Sequence, residues 1–188
     1  MVIRIVGGSV GGRLLTTPKG MTTRPTSDRA REALFSTVES LRPMAGVRVL
    51  DLYAGSGSVG LEALSRGAAA AVLVESDRRV CEVLRANVAA LGLPGARVIC
   101  DRVDGALAEP AAMPFDVLFA DPPYALVTAE LAGVLTAAAR GGWLGPDAVV
   151  VVERASRDPA FAWPAGFTAV RERRYGEATL WYGRHRAV

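Results

Sequence analysis

The sequence predicts an α/β fold, a mostly parallel sheet with helices on both faces. An antiparallel hairpin ends the chain, and a small hairpin-and-helix extension begins it. Three observations predict this. From Val47 to Glu153, short Val/Leu/Ile-rich runs alternate with segments of helical period, the pattern of strands buried on both faces and joined by crossover helices. The first such run ends in a glycine turn, Asp51-Leu52-Tyr53-Ala54-Gly55-Ser56-Gly57. In the tail, two alternating runs flank Tyr175-Gly176-Glu177, which reads as a hairpin.

Taken in order, residues 3–6 and 13–15 are β-like runs separated by Gly7-Gly8 and Gly11-Gly12, a hairpin with a loose turn. An irregular basic loop follows from Pro18 to Pro25. Ser27 or Asp28 can cap a helix with Ala30, Leu34, Val38 and Leu41 on one face, ended by Pro43 and Gly46. Strands are expected at Val47–Leu52, Ala70–Glu75, Ala96–Cys100, Phe115–Ala120 and Ala148–Glu153. Helices are expected at Val59–Arg66, at Arg78–Leu91, briefly near Asp104–Glu109, and over 127–139. Thr168–Arg174 and Ala178–Tyr182 form the terminal hairpin. A length of 188 residues allows one well-buried α/β domain with small additions. Residues 1–45 read as the basic extension and 46–188 as the main domain.

Composition narrows the chemistry. An apolar fraction of 51% and a charged fraction of 22% belong to an ordinary soluble domain. No apolar run approaches the roughly 18–20 residues of a membrane helix, and the N-terminus lacks a signal-like segment. A cytoplasmic protein without a membrane or an obligate protein partner is expected. Cys81 and Cys100 lack metal-ligand spacing and read as two buried thiols. His185 is the single histidine, so neither a histidine-based triad nor a multi-histidine metal site is expected. The chemistry must then rest on a cofactor or on carboxylates.

Charge is unevenly placed. Residues 1–31 carry six basic side chains against Asp28 alone, residues 32–153 carry nine basic against fifteen acidic, and residues 154–188 carry seven against three. Basic ends around an acidic core suit contact with a polyanion. Lys19 is the only lysine, so a bias toward arginine on a solvated surface is the plainer alternative.

In an open parallel sheet, ligands bind beyond the carboxyl ends of the strands, where strand order reverses. Gly55-Ser56-Gly57 lets the backbone approach a ligand at a helix N-terminus. Glu75, 20 residues beyond Gly55, can accept both hydroxyls of a ribose. Gly55-Ser56-Gly57-Ser58-Val59-Gly60 also matches the dinucleotide pattern. However, Asp51 beside the turn would repel a pyrophosphate, whereas the cationic amino-acid end of S-adenosylmethionine could use it. Both cofactors, and a purely structural turn, stay open on these residues alone.

Asp121-Pro122-Pro123-Tyr124 closes the apolar run 115–120. The two prolines stiffen the loop. The Asp121 carboxylate and the Pro122 carbonyl can accept the two protons of an exocyclic amino group, and Tyr124 can stack on its ring. Such contacts favour a more pyramidal nitrogen and aim its lone pair at a sulfonium methyl. The plainer reading is a rigid turn after a core strand.

Arg4-Ile5-Val6-Gly7-Gly8, Gly12-Arg13, Thr23-Arg24-Pro25-Thr26, Arg31-Glu32-Ala33-Leu34-Phe35, the Asp51–Gly60 turn and Asp121–Tyr124 occur in this order. With Tyr175-Gly176-Glu177-Ala178, the chain resembles the RsmD-type 16S ribosomal RNA guanine-N2 methyltransferases over nearly its whole length. The resemblance implies a Rossmann-like class I methyltransferase sheet and S-adenosyl-L-methionine as cofactor. It further implies methylation of one guanine N2 in 16S rRNA, presented on an assembling or complete 30S particle. It places Asp51, Gly55, Gly57 and Glu75 at the cofactor, and Asp121, Pro122 and Tyr124 at the target base. Tyr53, Ser56, Ser76, Asp101 and Arg102 complete the expected cofactor set, and Pro123 the catalytic loop. Arg102 departs from the Asp or Asn the resemblance predicts beside adenine, so Asp101 or backbone atoms would take that contact. Arg4, Arg13, Lys19, Arg24 and Arg29 are the expected RNA contacts, with Arg31 either joining them or pairing with a core carboxylate. The competing readings are a DNA adenine-N6 methyltransferase, an NAD-dependent oxidoreductase and a non-catalytic RNA-binding assembly factor.

Overall fold

The computed structural model describes residues 3–18, 28–123 and 125–186. Its main sheet has seven strands: β3 (Arg48–Leu52), β4 (Ala70–Glu75), β5 (Ala96–Cys100), β6 (Phe115–Ala120), β7 (Leu144–Ala155), β8 (Phe167–Tyr175) and β9 (Ala178–His185). They lie in the order β5-β4-β3-β6-β7-β9-β8. The first five are parallel, and β9 pairs antiparallel with both β7 and β8. The crossovers are α2 (Ser58–Ser65), α3 (Arg78–Leu91), α4 (Val103–Ala106) and α5 (Thr128–Arg140). The expected mostly parallel sheet with an antiparallel C-terminal hairpin is present.

Each sheet face has its own apolar layer. Val49, Leu73, Phe119 and Val151 pack with Phe35 and Val38 of α1 (Asp28–Leu41), Leu61 of α2 and Leu84 of α3. Leu50, Val72, Leu118 and Val150 pack with Leu131 and Leu135 of α5 and with Phe161. This double burial explains why the central strands read as continuous apolar runs.

The N-terminal segment joins the first layer through Ile3, Ile5 and Leu15. Its expected strands shrink to β1 (Ile3–Arg4) and β2 (Leu14–Leu15). The Val6 and Gly7 amides instead donate to Glu62 of α2, at 2.6 and 2.7 Å. Glu62 is fully buried and also accepts from Arg66 Nε at 2.8 Å. A carboxylate removed from water needs such donors, and here they dock the extension. The fifth parallel strand begins earlier than expected, at Leu144, because its Gly145-Pro146-Asp147 opening looks like a turn in sequence. Asp147 there has φ 60°.

The expectation of two free thiols is corrected. Cys81 and Cys100 are joined as a disulfide, with Cα atoms 5.9 Å apart. The β4–α3–β5 crossover creates the pairing. Glu75 and Cys100 are partners in neighbouring strands, and α3 turns back over them, leaving Cys81 Sγ 3.2 Å from the Glu75 carbonyl oxygen. The 19-residue separation conceals this in sequence. The single histidine is also structural, its Nδ1 lying 3.0 Å from the Gly145 carbonyl oxygen. No helix among the described residues is long and apolar enough to cross a membrane.

Candidate active site

Strand order reverses between β3 and β6, and both expected motifs leave the sheet at that point. After β3, the chain turns through Tyr53, Gly55 and Gly57 with φ of 64°, 56° and 85°. Gly57 then opens α2, where a Cβ would collide with Leu84. Positive φ at a tyrosine is strained. The turn is held from several sides: Ala54 N–H donates to the Val74 carbonyl at 2.9 Å, and Gly55 N–H to Glu75 Oε2 at 3.0 Å. Asn87 of α3 donates to the carbonyls of Ser56 and Thr16, each at 2.9 Å, and accepts from Thr16 N–H at 2.9 Å. One buried amide thus ties the turn to the N-terminal extension.

Asp51 is 4% exposed, and its Oδ2 accepts from Gly60 N–H at 2.8 Å. Burial first, and the Glu75 charge also, raise its pKa to about 7, while the Gly60 hydrogen bond opposes them. Glu75 Oε1 accepts from the amides of Ser76 and Asp77 at 2.7 and 2.9 Å; with Gly55 N–H on Oε2, one lone pair remains, on Oε2. Asp101 and Arg102 are exposed beyond β5. Arg102 pairs with Asp104 at 3.0 Å, and its amide donates to Asp101 Oδ1 at 2.7 Å. The Tyr53 side chain is half-buried and senses Asp104 and Arg102.

Asp121 follows β6, with Pro122 buried and Pro123 exposed. Pro123 accepts from Leu126 N–H at 2.9 Å, which folds the loop back. Asp121 keeps solvent-exposed surface. Enclosure by protein, then Glu153 and Asp51, push its pKa well above the usual carboxylate value, and Arg154 opposes them. Tyr124 lies outside the described residues. Asp51 shares a sheet face with its partner Phe119, and Asp121, just beyond β6, is near enough to feel the Asp51 charge. The glycine turn and the Asp121 loop thus leave neighbouring strands at the same end of the sheet.

The chemistry of this donor set is selective. Asp51, Glu75 and Asp121 lie at or just beyond the carboxyl ends of β3, β4 and β6, and three acceptors there welcome a cation or an N–H group and not a pyrophosphate. No group of His, Cys, Asp and Glu among the described residues is placed to hold a metal ion. Sequence reasoning missed Asn87, Glu153 and Arg154. Asn87 left a signal, a polar residue three positions after Leu84 on the apolar side of its helix. Glu153 and Arg154 looked like an ordinary charged strand end.

The basic candidates divide. Arg29 is exposed. Arg4 is 57% exposed but pairs with Asp28 at 2.7 Å, and Arg13 donates to the Ala90 carbonyl at 2.6 Å. Arg31 is corrected as a phosphate contact. It is fully buried, donating to Asp28 and to the Arg4 carbonyl at 2.6 and 2.7 Å. Lys19 and Arg24 lie outside the described residues. In the C-terminal block, Arg171, Arg173 and Arg174 are exposed along β8, the sheet edge.

Residues 3–184 match the family described as conserved hypothetical protein 95. The chain is 37% identical over 175 residues to ribosomal RNA small subunit methyltransferase D of Escherichia coli, covering 93% of this chain and 86% of that one. A solved E. coli structure, described as a methyltransferase named yhhF, superposes with a TM-score of 0.88 at 34% identity and covers both chains fully. A methyltransferase crystallised with S-adenosylhomocysteine shares the fold at 12% identity, with a TM-score of 0.66 over 86% of this chain and 50% of its own.

Proposed function

The chain belongs to the RsmD family of ribosomal RNA methyltransferases, and on that premise we propose that it transfers a methyl group from S-adenosylmethionine to N2 of one guanine of 16S rRNA, presented on the small ribosomal subunit. The observation carrying this reading is the closeness of Asp51 and Asp121 at the strand-order reversal between β3 and β6. It supports a reading in which the cofactor's cationic end lies by Asp51 and the guanine amine by Asp121.

When bound, the cofactor supplies an electrophilic methyl on a positively charged sulfur with a neutral leaving group. The chain's residues do the rest by position. The amides and glycines of 55–57 would admit the cofactor's backbone-hugging end, Glu75 Oε2 would accept a ribose hydroxyl, and Asp51 would balance its positive charge. The Asp121 carboxylate and the Pro122 carbonyl each accept one proton of the guanine amine, turning its lone pair toward the methyl. After transfer, the nitrogen must shed a proton, and a carboxylate with a raised pKa suits receiving it. Tyr124 would stack on the base. Exposed arginines at both ends of the chain would hold phosphates, and a single-stranded loop guanine could enter without opening a long duplex.

Incubation with labelled S-adenosylmethionine and unmethylated small subunits, in parallel with adenine-containing DNA, tests the substrate. Label in 16S rRNA alone supports the reading, and label in DNA alone overturns it.

A further inference from the structure

One row of partners crosses five strands on the α1 face of the sheet. Asp51 of β3 is opposite Phe119, Phe119 opposite Val151, Val151 opposite Tyr182, and Tyr182 opposite Arg171 of the edge strand β8. Paired residues point to the same face, and Phe119, Val151 and Tyr182 all lie in the layer under α1. Two residues further along β8, toward the carboxyl ends of the parallel strands, Arg173 is opposite Leu180, itself opposite Glu153. Glu153 follows Val152, and Asp121 follows its partner Ala120. Arg173 is therefore level with the point where Asp121 leaves β6, three strand spacings or about 14 Å away across the sheet.

Arg171 and Arg173 are both exposed. Among the described residues neither has a hydrogen-bond or ion-pair partner, whereas Arg66 is held by Glu62 and Glu32, and Arg184 by Asp147. Burial raises the pKa of Tyr182 to about 12, and the charges of Arg173 and Arg171 oppose it, as neighbours on its face should. The other face of β8 is balanced: Glu172, opposite Trp181 of the second layer, is followed two residues on by Arg174. Two like charges about 7 Å apart on one face repel each other when no acid stands between them. A strand of regularly spaced anions removes that cost.

We infer that Arg171 and Arg173 form a phosphate track that holds the target RNA strand a few nucleotides from the reacting guanine. A span of about 14 Å takes roughly four nucleotides at the stacked rise of about 3.4 Å, and fewer in an extended strand. Guanidinium groups suit this role because each can take two phosphate oxygens at once. The track responds to charge and spacing and not to base identity, and it sets the register of the strand over Asp121. That role rests on the RNA reading of this site.

The test measures methyl transfer to unmethylated small subunits across a salt series, for the wild type, Arg171→Ala/Arg173→Ala, Arg171→Lys/Arg173→Lys and Arg97→Ala. Arg97 is exposed on β5, the opposite edge of the sheet, and serves as the charge control. The alanine pair should raise KM for subunits about tenfold. Its kcat should stay within about twofold, since contacts equal in ground and transition state change only KM. The slope of log kcat/KM against log salt should become shallower by about 1.4, or about 0.7 for each phosphate released. The lysine pair should keep most of that slope, and Arg97→Ala should match the wild type. S-adenosylhomocysteine binding should be the same in all four proteins. Phosphate ethylation interference on the same particles should reveal sites within about four nucleotides of the target for the wild type, absent for the alanine pair. An unchanged KM and slope in the alanine pair, an equal change in Arg97→Ala, or an interference pattern the pair leaves intact overturns the track. Should the alanine pair fail to fold, an unchanged slope in Arg173→Gln does the same. Wild-type transfer to DNA but not to subunits overturns instead the RNA reading beneath it.

Discussion

Asp121 and Asp51 both have raised pKa values, with different consequences. Asp121 must be ionised to accept from the amine, so activity should fall as pH drops through its raised pKa. That loss should begin above the range of an ordinary carboxylate near 3.8. Single-turnover rates against pH should show this acidic limb, and Asp121→Asn should remove it. Asp121→Ala should keep S-adenosylhomocysteine binding and lower transfer by at least about a hundredfold; unchanged transfer would remove its assigned role. For Asp51, the folded pKa is about 7 against an ordinary 3.8. The folded state therefore holds this proton more tightly, and the Asp51 contribution to stability is full below 3.8 and lost as pH rises toward 7. The loss should reach at most about 1.4 kcal/mol per pH unit. Asp51→Asn should flatten that dependence in urea titrations of the free protein and weaken binding of the cationic cofactor. A steep dependence unchanged in Asp51→Asn would contradict the burial argument.

Among the elements, α3 and the N-terminal extension have roles that their periodicity hides. The α3 apolar side reads Val80, Leu84, Val88, Leu91, and Asn87 is out of place only to a pattern counting apolar residues. In the fold it satisfies both Thr16 and Ser56. Asn87→Ala should cost about 2–3 kcal/mol, because buried backbone groups lose partners, and should lower cofactor affinity through the loosened turn. Thermal melts with and without S-adenosylhomocysteine would separate the two effects. Glu62 is comparable: on a helix it looks like a surface acid, yet it receives the extension's amides. Strands β4, β5 and β6 were legible to the residue; burial on both faces leaves nearly continuous apolar runs in β4 and β6, while β5 is the sheet edge with Arg97 exposed. The start of β7 and the shortened β1 and β2 were not. Gly145-Pro146 resembles a turn, and side-chain acceptors replaced part of the hairpin ladder.

For the whole molecule, the sequence pattern conveyed the two motifs but not their surroundings. The glycine turn and Asp121-Pro122 were legible because glycine and proline leave few backbone alternatives. The disulfide, the Glu153 neighbour and the burial of Arg31 arise from residues distant in sequence, and only the crossover topology brings them together. The charge pattern survives as exposed arginines at the N-terminal side and along β8. Binding of 16S rRNA fragments should weaken steeply with salt, and Arg13→Ala or Arg29→Ala should each lower the log–log slope by about 0.7 if it neutralises one phosphate. A flat salt response would remove the polyanion argument.

The most direct test of the proposed chemistry is mass-spectrometric mapping of the nucleotide methylated when wild-type protein and its Asp121→Ala variant meet unmodified small subunits and S-adenosylmethionine. The site described above predicts a single N2-methylguanine in 16S rRNA, made by the wild type and absent with Asp121→Ala. A methyl group on any other atom, or the same product at the same rate from Asp121→Ala, would contradict it.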